Sequence, residues 1–267
     1  MLEPFRLYLR LITGRIRGQL QYRTSFALET LGMFLWGFLD FAAILVIFSN
    51  VRQLGEWSAA EVALLYGITS LSFSVTDLLI GHFDYLPRLV REGTFDLLLT
   101  RPRGTLFQLM TIDFQLRRLG RIAQALAILG FALSQLDIVW TLDRVAVLVM
   151  AVPFGALIFG SIWVAAITIV FWAVEGGEAA NAVTYGGHFF SQFPINIFDR
   201  WLRRFLAYLI PTAFVSYFPA LYVLGKPDPL GLPAFLQVAG PVAAVAAAIV
   251  ASFIWRGAVR HYQSAGG

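Results

Sequence analysis

Apolar residues recur at three-to-four spacing near the start of the chain. Phe5, Leu9, Ile12, Ile16 and Leu20 form one stripe, with Arg6, Arg10 and Arg17 lying off it. That period predicts an amphipathic helix over residues 1–23. A basic helix with apolar anchors suits the headgroup plane of an anionic, cytoplasmic leaflet.

Beyond it the stripe gives way to saturation. A spanning helix takes about 20 mainly apolar residues. Residues 25–48, 59–80, 119–136, 145–174 and 233–255 are all apolar enough to cross. Two segments compete for one further span. Residues 205–224 are favoured by hydropathy and charge, which would leave 175–204 as a cytoplasmic loop. Residues 178–193 are the rival, although they carry Asn181, Thr184, His188, Ser191 and Gln192. In that case 194–225 dips into the outer leaflet and returns, broken by Pro194, Pro211 and Pro219 into the short pieces a re-entrant hairpin needs. The residues alone leave both readings standing. Either way, the expected fold is an all-α integral membrane protein of six transmembrane helices in a single domain over 1–267.

Composition agrees. The chain is 58% hydrophobic and 13% charged, with a mean hydropathy of +0.73; soluble domains run near half apolar and about a quarter charged. The net charge of +4 rests on arginine, since Lys226 is the only lysine. Its distribution reads as topology rather than nucleic-acid binding. Five arginines precede Ser25, seven lie between Arg88 and Arg121, and Arg256 and Arg260 close the chain. The opposite side would hold only Arg52, Arg144 and Lys226, with Arg200, Arg203 and Arg204 undecided. Both termini are therefore expected to be cytoplasmic. No cleavable signal peptide is expected, because arginines interrupt the first apolar stretch.

Several chemistries are missing. With no cysteine there is no disulfide, thiolate nucleophile or Cys-ligated metal. The only lysine is followed by Pro227, so there is no phosphate-binding GxxxxGK[ST] loop. GxSxG and HExxH do not occur, and His82, His188 and His261 are too scattered for a metal site. Ionisable groups inside spans are costly and often functional. Asp40, Asp77 and His188 are the candidates for a translocation path, against the plainer reading of interhelical hydrogen bonds. Glu29 lies nearer the end of its span. Glu175 and Glu178 flank Gly176-Gly177 as a candidate inner hinge. Gly240, Ala244, Ala248 and Ser252 form a small-residue stripe suited to close helix packing.

Three stretches carry a resemblance: "LVREGTFDLLLTRPRG" after the second span, "FWAVEGGEAAN" closing the fourth, and "FPINIFDRWLRRFLAYLIPTAFVSYFPALYVLG" before the last. In order and spacing they resemble the ABC-2 type permeases, the small six-span ABC-2 family transporter proteins in particular. The resemblance implies a non-enzymatic permease subunit of an ATP-driven exporter in the bacterial cytoplasmic (plasma) membrane. It would need a second permease, identical or paralogous, and two copies of a cytoplasmic ATP-binding subunit. ATP and Mg would sit on that partner and no cofactor on this chain. Residues 85–102 would be the cytoplasmic coupling loop, with Arg88, Arg91, Glu92, Gly93, Asp96, Arg101 and Pro102 as its contact set. Leu89, Phe95 and residues 97–99 would anchor on the ATPase. The resemblance also implies outer re-entrant helices over 194–225. The other classes open to this sequence are a membrane enzyme or ATP-independent carrier with the same profile, and an accessory membrane subunit.

Overall fold

A computed structural model describes residues 13–14 and 16–262. The interfacial helix expected over 1–23 therefore lies mostly outside the described residues; of it, residues 16–20 are helical. Every regular element among the described residues is helical. They are α1 (Arg23–Asn50), α2 (Ala59–Ile80), α3 (Leu86–Arg91), α4 (Asp96–Leu99), α5 (Thr105–Met110), α6 (Leu119–Gln135), α7 (Leu142–Ile167), α8 (Gly177–Ser191), α9 (Arg200–Arg204), α10 (Tyr217–Leu224) and α11 (Gly240–His261).

Four stretches are long and apolar enough to cross a membrane: Arg23–Asn50, Ala59–Arg91, Leu142–Phe171 and Gly240–His261. The helices α6 and α8, with 17 and 15 residues, are shorter. At about 1.5 Å per residue they reach roughly 26 and 22 Å, somewhat less than a hydrocarbon core of about 30 Å.

Residues 205–224 are not one straight span. A π-helical turn over Phe205–Leu209 ends at Ile210, Pro211 follows, and α10 begins only at Tyr217. The pieces Arg200–Ala207 and Thr212–Leu224 meet at 68°. The cause is in the residues, since proline fixes φ and has no N–H to give the preceding turn. The last helix also starts later than its hydropathy. Residues 234–238 form a separate 3-10 turn, and α11 opens at Gly240 with Pro241 in its first turn.

The centre of the bundle is α2. A reciprocal cap starts it: Glu61 N–H donates to Ser58 Oγ at 3.4 Å, and Ser58 N–H to a Glu61 carboxylate oxygen at 2.8 Å. Between Glu61 and Asp77 it is apolar or hydroxylated all round, as suits a helix buried on every face. Two of its hydroxyls bond to neighbouring helices: Thr76 Oγ1 donates to Ala156 O at 2.9 Å and Thr69 Oγ1 to Ser191 O at 2.8 Å. Around α2 pack α6, α7 and α8, with α11 on α7 and α1 on α6.

Two apolar cores divide the bundle along α2. One gathers Trp57, Tyr66, Tyr217 and Phe218 near the start of α2. The other gathers Phe83, Phe95, Trp163, Phe171 and Trp255 at the opposite end, under the elbow formed by residues 81–104. The small-residue stripe on α11 divides as well. Gly240 and Ala244 are buried, but packing then continues through Ala251, Trp255 and Ala258, while Ala248 and Ser252 turn to the edge of a groove. The i+4 spacing drifts around a 3.6-residue helix, so a straight seam cannot follow it.

Candidate functional site

The elbow is built as a short rigid bracket. α2 tightens into a 3-10 turn over Gly81–Tyr85, and Pro87 sits in the first turn of α3, where its missing N–H costs nothing. Gly93 ends α3 with φ +67°, a left-handed conformation that favours glycine. The Gly93 N–H donates to Val90 O at 3.2 Å, and Phe95 N–H to Leu89 O at 3.1 Å, so the chain reverses directly into α4. The Gln108 amide then closes the bracket, donating to Leu98 O at 2.8 Å and to Arg103 O at 2.7 Å.

The bracket has two faces. Leu86, Val90, Phe95 and Leu98 point inward and are buried. The Phe95 ring lies 5.1 Å from Phe171 and 4.9 Å from Tyr262, centroid to centroid. Phe95 and Leu98 thus hold the bracket to its own bundle and do not project as anchors for a partner, a correction to the sequence expectation. Leu97 and Leu99 do project. They share the outer face with Arg88, Arg91, Glu92, Arg101 and Pro102, all exposed. Arg88 Nε donates to Glu92 Oε1 at 2.7 Å, a solvent-facing pair of the i,i+4 kind. Asp96 is half-buried at the start of α4.

Asp84 carries the strongest link from bracket to bundle. One carboxylate oxygen accepts from Trp163 Nε1 of α7 at 3.1 Å, the other from the Tyr185 hydroxyl of α8 at 2.9 Å. Nearby, Gly177 runs so close to Pro87 that a Cβ there would lie 2.8 Å from the proline ring. A polar cleft of 480 Å³ opens between these elements, lined by Asp84, Arg88, Arg91, Glu175, Glu178 and Asn181. Arg88 and Arg91 of the bracket and Glu175 and Glu178, far along the chain, therefore line one surface feature.

A second electrostatic junction lies at the same end. The Asp77 carboxylate is buried and meets Arg118 Nη1 at 3.4 Å and Arg121 Nη1 at 3.5 Å. Arg117 reaches Glu29 at 3.5 Å. These contacts staple α6 to α2 and α1. The three ionisable path candidates are not brought together. Asp77 is held in this junction, Asp40 lies on the exposed side of α1, and the His188 ring stacks on Phe73 at 4.2 Å, between α8 and α2. The Gln192 amide lies 3.4 Å from His188 Nε2. No group of acidic and histidine side chains able to hold a metal occurs among the described residues.

Comparison with family models matches residues 34–266 to the ABC-2 family transporter proteins. The chain belongs to that family. It is thus a multi-pass membrane permease of an ABC transporter, a transport component rather than an enzyme, working in a system with ATP-binding partners. Neither the curated proteins nor the solved structures contain a match to this permease.

Sequence reasoning missed Asp84, Trp163, Tyr185 and Asn181 in the permease. Only Asp84 left a trace, as the lone acid before an arginine-rich stretch. Asn181 stood out only as a polar residue in a weak span, and Trp163 and Tyr185 read as ordinary span residues until α7 and α8 are brought against the bracket.

Proposed function

We propose that residues 85–102 are the surface through which two copies of a cytoplasmic ATP-binding subunit drive this permease as an exporter. The observation that carries the reading is the two-faced bracket: a charged outer face, with Leu97 and Leu99 standing out of it, on a base fastened to α7 and α8 through Asp84. A pull on the outer face would pass through those two hydrogen bonds into α7 and α8, and through Phe95 towards Phe171 at the end of α7. Closure of the ATPase pair would then move several spans together. Glu175 and Glu178, on the far wall of the cleft, would act as the hinge beside it.

In this reading α1, α2, α6, α7, α8 and α11 make six crossings of the bacterial cytoplasmic membrane, with both termini cytoplasmic. The bent segment over 194–225 dips into the outer leaflet, and the short α6 and α8 are accommodated by local thinning of the bilayer. One such unit is half of a path, completed by a second permease, identical or paralogous. His188 and Asp40 are the groups proposed to meet cargo; Asp77, held by two arginines, serves to fix α6.

The test is co-purification of the tagged permease with its ATP-binding subunit, scored by stoichiometry and ATPase activity. Arg91→Ala with Leu97→Ala should lose the subunit while the permease still elutes as a folded, monodisperse species. Retention of the subunit by that variant would refute the docking role. Topology has a separate check, because the cysteine-free chain accepts single cysteines cleanly. Trp201→Cys should label from outside with an impermeant thiol reagent, and Arg103→Cys only after permeabilisation.

A further inference from the structure

Among the lateral grooves on the described bundle, two are large and apolar. The first, 590 Å³, runs between α2 and α11 over a floor of α7, from Pro153 to Met110 of α5. That volume falls within the roughly 300–1,000 Å³ of ordinary ligand pockets. Along α7 it extends from Pro153 to Val164, roughly 16 Å at ~1.5 Å per residue. Ala156, Gly160 and Ala248 keep it open, and Leu157 and Leu79 stand at its rim. The slot is narrow, apolar and open to the side, so it matches a hydrocarbon chain better than a polar solute.

Its end at the elbow is basic. Trp255 Nε1 donates to Thr105 Oγ1 at 3.2 Å, which brings the segment before α5 against the last turns of α11. The segments that meet there, 97–112 and 240–262, contribute Arg101, Arg103, Arg256 and Arg260, against Asp96 and Asp113 at the borders of the first segment. All four arginines are exposed. Arg256 lies one turn beyond Ser252, which lines the slot. The second groove, 850 Å³, lies between α7, α8 and α11.

We propose that the slot between α2 and α11 is a binding site for one anionic phospholipid of the leaflet on the elbow side. An acyl chain lies along Gly160 and Ala248, and the phosphate is held by Arg103 and Arg256. Apolar burial supplies the chain's affinity, and the guanidinium groups select charge, since each basic residue at such a surface adds an increment for anionic lipid. A filled slot would bridge α2 and α11, which line its two sides. The inference does not depend on the ATP-binding partner.

The experiment is native mass spectrometry of the purified full-length permease after exchange into nanodiscs of equal phosphatidylglycerol and phosphatidylcholine. The wild type should retain phosphatidylglycerol over phosphatidylcholine by roughly tenfold. Arg103→Gln with Arg256→Gln should abolish that preference and leave total bound lipid nearly unchanged. Ala248→Phe, which fills the slot, should lose the lipid, while Val242→Phe on the exposed side of α11 should keep it. Leu157→Trp obstructs the rim from α7 and serves if Ala248→Phe does not fold. Equal retention of the two lipids by the wild type, or phosphatidylglycerol still held by a folded slot-filled variant, would overturn the proposal. A disulfide-linked dimer through Leu157→Cys would do so too, by assigning the slot to a second copy of the chain.

Discussion

The Asp84 carboxylate accepts a 2.9 Å hydrogen bond from the Tyr185 hydroxyl, joining residues 101 positions apart. It is the point where the bracket after α2 grips α8, and the other carboxylate oxygen grips α7 through Trp163. A hydrogen bond to a charged group contributes about 1.5–3 kcal/mol net. Tyr185→Phe should therefore lower stability by an amount in that range. Combined with Asp84→Asn, it should give a non-additive double-mutant cycle, read by thermal unfolding in detergent. Additive losses would mean the two side chains do not act together.

The Asp77 junction should behave as a buried ion pair. Asp77→Asn leaves Arg118 and Arg121 facing each other with their carboxylate gone, and removing one member of such a pair costs about 3–5 kcal/mol. Replacing Asp77 and Arg118 together by apolar residues should recover part of that loss. Unfolding curves for the single and double variants decide it, and no recovery in the double would argue that Arg121 alone carries the cost.

Phe95 and Leu97 are neighbours with opposite expected effects. Phe95→Ala empties a buried ring site and should destabilise the permease by about 3–5 kcal/mol. Leu97→Ala removes an exposed side chain and should leave stability within about 0.5 kcal/mol. If the bracket docks a partner, the exposed change should be the one that weakens co-purification in a folded chain. A matching loss of stability in both variants would place Leu97 in the bundle instead.

Gly93 makes a sharper local test. Its φ of +67° costs a non-glycine residue about 1–2 kcal/mol. Gly93→Val should lower the melting temperature and loosen the bracket, and Gly93→Asn should do so less, because asparagine tolerates that region better. Proteolysis between residues 92 and 97 would report the loosening. Equal melting temperatures for the valine and asparagine variants would show that the turn re-forms another way.

Much of this was legible along the chain. The helices Ala59–Ile80 and Leu119–Gln135 lie within a residue of their hydropathic limits, because a run of apolar residues has few other ways to satisfy its backbone in lipid. The prolines of 194–225 foretold a broken segment, and the structure bends it by 68° at Pro211. What the pattern could not supply was facing. Phe95 looked like a partner's anchor because an apolar residue in a polar loop reads the same whether it turns in or out.

The sequence by itself determined which stretches are helical, where prolines and Gly93 interrupt them, and that the charges gather at particular ends. Those properties follow from local sterics and from the energy of placing polar groups in hydrocarbon. Only the tertiary structure decided that Asp84 would meet Trp163 and Tyr185, that Asp77 would face two arginines, and that Arg88 and Glu175 would line one cleft. Such pairings depend on the rotation and depth at which helices pack. These are set by the summed fit of many side chains, which no single stretch of chain encodes.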